Sequence, residues 1–336
     1  MHARKSLLSL AVLVAMSGSA MADSSTVNTA QDGYNQTLNV DQSRATQSSI
    51  TINQTGNTNT AGTLPAGRLG GRAISQTATY STLGINQNGS NNRTAAQQAG
   101  NNNSASIGQT GRGGQTATLD QSGGYSAATI SQDANSSTSA SITQGRGTNN
   151  TASTSQNNND TLVGAGISQF GNYNAASVSQ QHNNTFISGS VAQDGNGNTG
   201  SVSQQYNRNG VVGAVQQNGN NNLGSVQQTG SNYSSASVLQ RGDYNTASAY
   251  QNGSALNADI QQRGDNNYAS SYQTGSFNEE TLIQKDGNFN RASVSQTGAG
   301  TSRDANIVSL TQQGNNMVAN VSQTGGSGNV AVIYQH

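Results

Sequence analysis

Glutamine returns along this chain at intervals of 11 to 13 residues over most of its length, and this repeat constrains the fold more than any other feature. The series starts at Gln42 and Gln54 and continues through Gln76, Gln87, Gln98, Gln109, Gln121, Gln132, Gln144, Gln156, Gln169, Gln180, Gln193, Gln204, Gln217, Gln228, Gln240, Gln251, Gln262, Gln273, Gln284 and Gln296. After a longer gap it reaches Gln312, Gln323 and Gln335, which makes 25 units. Two residues before the glutamine stands Val, Ile or Leu in 21 units, the exceptions being Ala96, Thr154, Ala249 and Ser271. Four residues before it stands Ala or Gly in 18 units, and the positions between are mostly Ser, Thr, Ala or Gln. Alternation with period two is the signature of a β-strand with one face buried and one solvated.

Most of these glutamines are followed by x-Gly, as in Gln169-Phe-Gly171 and Gln240-Arg-Gly242, and glycine supplies the positive φ of a tight turn. Gly171, Gly195, Gly219, Gly242 and Gly264 are the candidate turn glycines. Units of two kinds alternate. Six residues before the glutamine, one kind has Asn174, Asn198, Asn222, Asn245, Asn267 or Asn290. The other kind has Val163, Ile187, Val211, Ser234 or Leu256, with Asn278 breaking the rule. The true repeat is therefore strand–turn–strand, about 22 to 24 residues long, which is the unit of a solenoid.

The expected fold is all-β: a two-sheet β-solenoid able to form cross-β amyloid. One rung buries too little to offset its backbone entropy, but stacked rungs add hydrogen bonds and repeat the same side chains about 4.8 Å apart. Gln169, Gln180, Gln193, Gln204, Gln217, Gln228, Gln240, Gln251, Gln262 and Gln273 would then lie in register and bond amide to amide. Asn174, Asn198, Asn222, Asn245 and Asn267 would form a second ladder. Buried amides are costly unless paired, and a ladder pairs them without any other partner.

Composition agrees with such a polar stack. Hydrophobic residues are 31% and charged residues 8%, with no Trp, no Cys and one proline, Pro65. Arg4 and Lys5, the apolar run Leu7 to Met16, and Ala20-Met21-Ala22 read as a signal peptide over residues 1–22, with a short segment at 23–30 before the repeats of 31–336. Without the leader, 12 basic residues face 14 acidic ones, which argues against a nucleic-acid surface. His2, His182 and His336 are scattered, so no metal cluster or catalytic triad is expected, and no cofactor. The charged residues Asp194, Arg208, Arg241, Asp243, Arg263, Asp265, Lys285 and Asp286 read as turn residues, solvated or guarding against early assembly. Tyr173, Tyr244 and Tyr268 read as turn residues too.

The chain resembles the curlins, subunits of bacterial curli fibres, whose repeat is Ser-x5-Gln-x-Gly-x2-Asn-x-Ala-x3-Gln. Ser234, Gln240, Gly242, Asn245, Ala247 and Gln251 match every fixed position, and Gln169, Gly171, Asn174, Ala176 and Gln180 match all but the leading Ser. Gln262, Gly264, Asn267, Ala269 and Gln273 do the same, and Gln193, Gly195, Asn198 and Gln204 fit with Gly200 for Ala. Departures fall at 57–73, at 297–311 and at Glu280, which occupies a small-residue position. The resemblance implies a secreted, self-assembling amyloid subunit of a Gram-negative cell surface, serving biofilm matrix and adhesion to surfaces or host matrix. It also implies a nucleator subunit, an outer-membrane secretion channel and periplasmic chaperones as partners. The competing reading is a monomeric β-solenoid adhesin or surface-binding module. A β-helix enzyme acting on polysaccharide would need longer rungs and clustered carboxylates, and neither is visible.

Overall fold

A computed structural model describes residues 24–62, 73–111 and 113–336. The leader expected at 1–22 lies outside these residues, as does most of the irregular stretch near 57–73. Twenty-eight strands, β1 to β28 in chain order, build two parallel sheets, and no helix occurs among the described residues. The chain lays one strand in the first sheet, crosses to the second, and returns one level up. Each strand therefore pairs with the strand one turn before it and the strand one turn after. The first sheet has 13 strands, so the β-solenoid has about 13 turns. The second has 15, because its strand is divided in the first two turns: β2 (Thr37–Leu38) and β3 (Val40–Asp41), then β5 (Thr60–Ala61) and β6 (Ile74–Thr79).

Register follows the repeat. In the first sheet Ala176, Val178 and Gln180 lie beside Gly200, Val202 and Gln204. In the second, Ile167 and Gln169 lie beside Val191 and Gln193. A slip by one residue would turn every buried side chain outward, so the alternation itself holds the register. In β20 (Ser235–Arg241), Ala236, Val238 and Gln240 are buried while Ser235, Ser237 and Leu239 face outward.

The core is a thin slab between the sheets. It is built from one column of small residues and one column of branched residues on each sheet, running the length of the stack. Small and large meet across the slab: a Cβ added to Gly200 would lie 2.6 Å from Cγ1 of Val191. Such contact leaves no room for a larger side chain. Val163, Ile187 and Val211, which stand where the other class of unit has asparagine, form a separate small cluster at one corner.

Two expected irregularities have a simple form. At the first, β5 ends at Ala61 and β6 begins at Ile74, and both strands pair with neighbouring turns. The second is a longer corner: β25 runs Arg291–Ala299, β26 runs Asn306–Gln313, and β26 rejoins in register with Gln312 beside Gln284. No turn is lost at either place. The turn readings need correction: Asp194, Arg241, Arg263 and Lys285 are the last residues of strands β16 (Thr185–Asp194), β20, β22 (Asn257–Arg263) and β24 (Asn278–Lys285), because the outward half of the alternation extends to the strand end. Tyr268 is not in a turn but opens β23 (Tyr268–Ser276), where the Arg291 guanidinium lies 4.6 Å from its ring centre. It faces outward on a strand because it falls in the solvated half of the alternation.

Candidate functional site: the amide ladders

The glutamines near the strand ends point into the slab and are almost wholly buried, except in the first and last turns, where Gln31, Gln42, Gln323 and Gln335 are part-exposed. In the first sheet, Nε2 of each donates to Oε1 of the next through Gln31, Gln54, Gln87, Gln109, Gln132, Gln156, Gln180, Gln204, Gln228, Gln251, Gln273, Gln296 and Gln323, at 2.7–3.0 Å. In the second, the same bond joins Gln42, Gln76, Gln98, Gln121, Gln144, Gln169, Gln193, Gln217, Gln240, Gln262, Gln284, Gln312 and Gln335, at 2.7–2.9 Å. Neither ladder is broken from first turn to last. The second hydrogen of Nε2 crosses to a backbone carbonyl of the other sheet, as from Gln193 to Ala175 O (3.0 Å) and from Gln204 to Ser188 O (2.9 Å). One amide thus ties neighbouring turns together and also ties the two sheets. A fully satisfied network in a low-dielectric slab is strong and specific, and a half-satisfied one is costly.

The asparagines form a ladder of a different kind from the one expected. Their amides do not chiefly bond to one another. Asn174 Oδ1 accepts the backbone N–H of Asn198, and Asn198 Oδ1 accepts that of Asn222. Asn222 Oδ1 accepts the N–H of Asn245, and Asn245 Oδ1 that of Asn267. Meanwhile Asn174 Nδ2 donates to Gly195 O (2.8 Å), Asn198 Nδ2 to Gly219 O (2.7 Å), Asn222 Nδ2 to Gly242 O (2.7 Å) and Asn245 Nδ2 to Gly264 O (2.7 Å). One added amide-to-amide bond, from Asn222 Nδ2 to Asn198 Oδ1, occurs at 3.1 Å. This geometry gives a physical reason for the Gly-x2-Asn spacing. The asparagine of one turn needs the bare carbonyl of the next turn's glycine within reach.

Those glycines need both their φ and their missing side chain. Gly171, Gly195, Gly219, Gly242 and Gly264 have φ of 98–127°, and a Cβ on any of them would fall 1.9–2.3 Å from the glycine carbonyl oxygen one turn on. The left-handed backbone turns the corner, and the open Cα lets the next turn sit directly on top.

Three further sets were not anticipated. Gln31 precedes the series by 11 residues and begins the first ladder. Thr29 and Val27 stand where the other units have an aliphatic and a small residue, so the sequence pattern does not mark it. At the opposite corner Asn135, Asn159, Asn183 and Asn207 are buried, and each Oδ1 accepts the backbone N–H of the corresponding residue one turn on. Their fixed offset of three residues after a glutamine was the available signal. Finally, Asn172, Asn196, Asn220, Asp243, Asp265 and Asn288 form an outer row, each Oδ1 from Asn196 onward accepting the N–H of its neighbour one turn earlier at 2.7–3.1 Å. Asp243 and Asp265, which read from sequence as plain turn residues, are therefore bonded members of that row. Arg241 and Arg263 lie side by side on neighbouring turns.

Among the described residues of this polar-laddered, two-sheet parallel β-solenoid, no cluster of His, Cys, Asp or Glu could hold a metal ion. The model of the curlin associated repeat matches residues 81–111, 234–264, 255–285 and 264–298, so these stretches of the chain are similar to that repeat. No curated protein matches the chain.

Proposed function

We propose that the chain is a secreted structural subunit of curli-like extracellular amyloid fibres that grow by stacking turn upon turn, in service of biofilm matrix and cell adhesion. The observation that carries this reading is the state of the two ends. Among the described residues, β1 (Thr26–Tyr34) with β2 forms one edge of the sheets, and β27 (Val318–Thr324) with β28 (Val330–Gln335) forms the other. Each edge is paired on one side only, and unpaired parallel edges are templates for another chain. The ladders make the two edges complementary. At the first edge they stop on Oε1 of Gln31 and Gln42, and at the last on Nε2 of Gln323 and Gln335. Stacking the last turn of one chain on the first turn of another continues both glutamine ladders donor to acceptor. The reverse joints set oxygen against oxygen or amine against amine.

On this reading residues 1–22 are a cleaved signal peptide and 23–336 the exported chain. The partners are other copies of itself, a nucleator subunit, an outer-membrane secretion channel, periplasmic chaperones, and the surfaces or host matrix to which fibres adhere. The test is to dilute residues 23–336 from denaturant and follow thioflavin fluorescence, then take fibre diffraction of the product. Growth with a meridional reflection near ~4.7–4.8 Å is expected. A β-rich chain that stays monomeric for days overturns the reading in favour of a monomeric surface-binding solenoid.

A further inference from the structure

Glu280 breaks the pattern of its column. Ala236 and Ala258 hold the same inward position in the two preceding turns of the second sheet. Glu280, on β24 (Asn278–Lys285), puts a carboxyl there with 0% exposure. The facing sheet is thinned to receive it. Val226 and Val294 hold the branched column on either side, but the two turns between them carry Ala249 and Ser271. The Ser271 hydroxyl donates to Glu280 Oε2, while Oε1 is buried with no hydrogen-bond partner.

No charge answers this carboxyl. The inward-facing residues of the strands packed around it are Ala258, Val308, Ala249, Ser271 and Val294, none of them titratable. The charged side chains of those strands (Asp259, Arg263, Glu279, Lys285 and Arg291) belong to the solvated half of the alternation or to strand ends. An ionised carboxylate in the slab would face one hydroxyl and otherwise hydrocarbon, which disfavours the charged form strongly. The neutral acid fits the space that the smaller residues leave.

We propose that Glu280 is a proton latch: the turns around it close with the carboxyl protonated, so that folding takes up a proton and acid conditions favour the closed stack. Burial, partly offset by the Ser271 hydrogen bond, moves its pKa from 4.5 to about 8. The folded chain therefore holds a proton that the unfolded chain has released over that interval. Stability from this site is full below about 4.5, falls as pH rises towards about 8, and changes no further above it. Within the window the folding equilibrium weakens by up to about tenfold per pH unit. The latch concerns the folding of a single chain, so it stands or falls apart from the fibre reading.

The sequence supplies its own control, because Glu279 and Glu280 are the only two glutamates. Glu279 faces solvent on the same strand. In the folded full chain labelled with carboxyl-13C glutamate, one of two carboxyl signals is expected to titrate near pH 8. Both signals titrating below pH 6 would overturn the proposal. Glu280→Gln, which keeps the shape and cannot ionise, should flatten the fall in urea midpoint between pH 5 and pH 8.5. An undiminished fall in that variant would also overturn it.

Discussion

A methyl group on Gly195 would meet the carbonyl oxygen of Gly219 at 1.9 Å, on a backbone whose φ is +124°. Space and conformation forbid it separately, and relief of either demands movement of a neighbouring turn. Gly195→Ala is expected to cost on the order of 3 kcal/mol in urea unfolding, near the top of what single substitutions do. Legibility at this scale was uneven. The glycine at a fixed offset from each glutamine announced a left-handed turn. Its second duty, as the acceptor of Asn174 or Asn198 Nδ2, is a relation between turns, and spacing along the chain does not display it. Asp243 shows the same limit. A carboxylate in a turn reads as solvated, yet its Oδ1 takes the Asn220 backbone N–H at 2.7 Å because stacking brings that group to it.

Most strands carry one small residue, one branched residue and one amide on their inner face. That three-residue code was readable because strands have a period of two. The corners were harder to read. The corner holding Asn174 has a fixed Gly-x2-Asn, while the corner holding Asn183 lacks the glycine and adds an apolar residue, Ile187. Its asparagine was overlooked because the apolar position six residues before the glutamine drew attention instead. Replacing Gln240, Asn245 and Gln251 together by Ala removes a link from both glutamine ladders and from one corner. It leaves Gln217 Nε2, Gln228 Nε2 and the Asn267 backbone N–H without those partners. Buried groups left unpaired cost about 1–3 kcal/mol each. The triple variant is therefore expected to lengthen the lag and slow elongation in thioflavin kinetics, and unchanged rates would show that the ladders do not limit assembly.

In the whole molecule each turn touches only its neighbours, so stability accumulates from the middle and frays from the edges. β1 is exposed along nearly its whole length, and β28 has no buried residue. Hydrogen exchange of the monomeric chain is expected to be slowest for strands between about residues 140 and 300 and fastest in β1 and β28; uniform protection along the chain would contradict nearest-neighbour stacking.

Between the two end members, every glutamine in both ladders donates in the direction of the C-terminus and accepts from the direction of the N-terminus. The amide dipoles consequently add rather than cancel. The two ladders thus contribute an electrical vector along the rod, positive towards β28. A suspension of such rods should align in an electric field and reverse when the field reverses, which flat alternation of donors and acceptors would not allow.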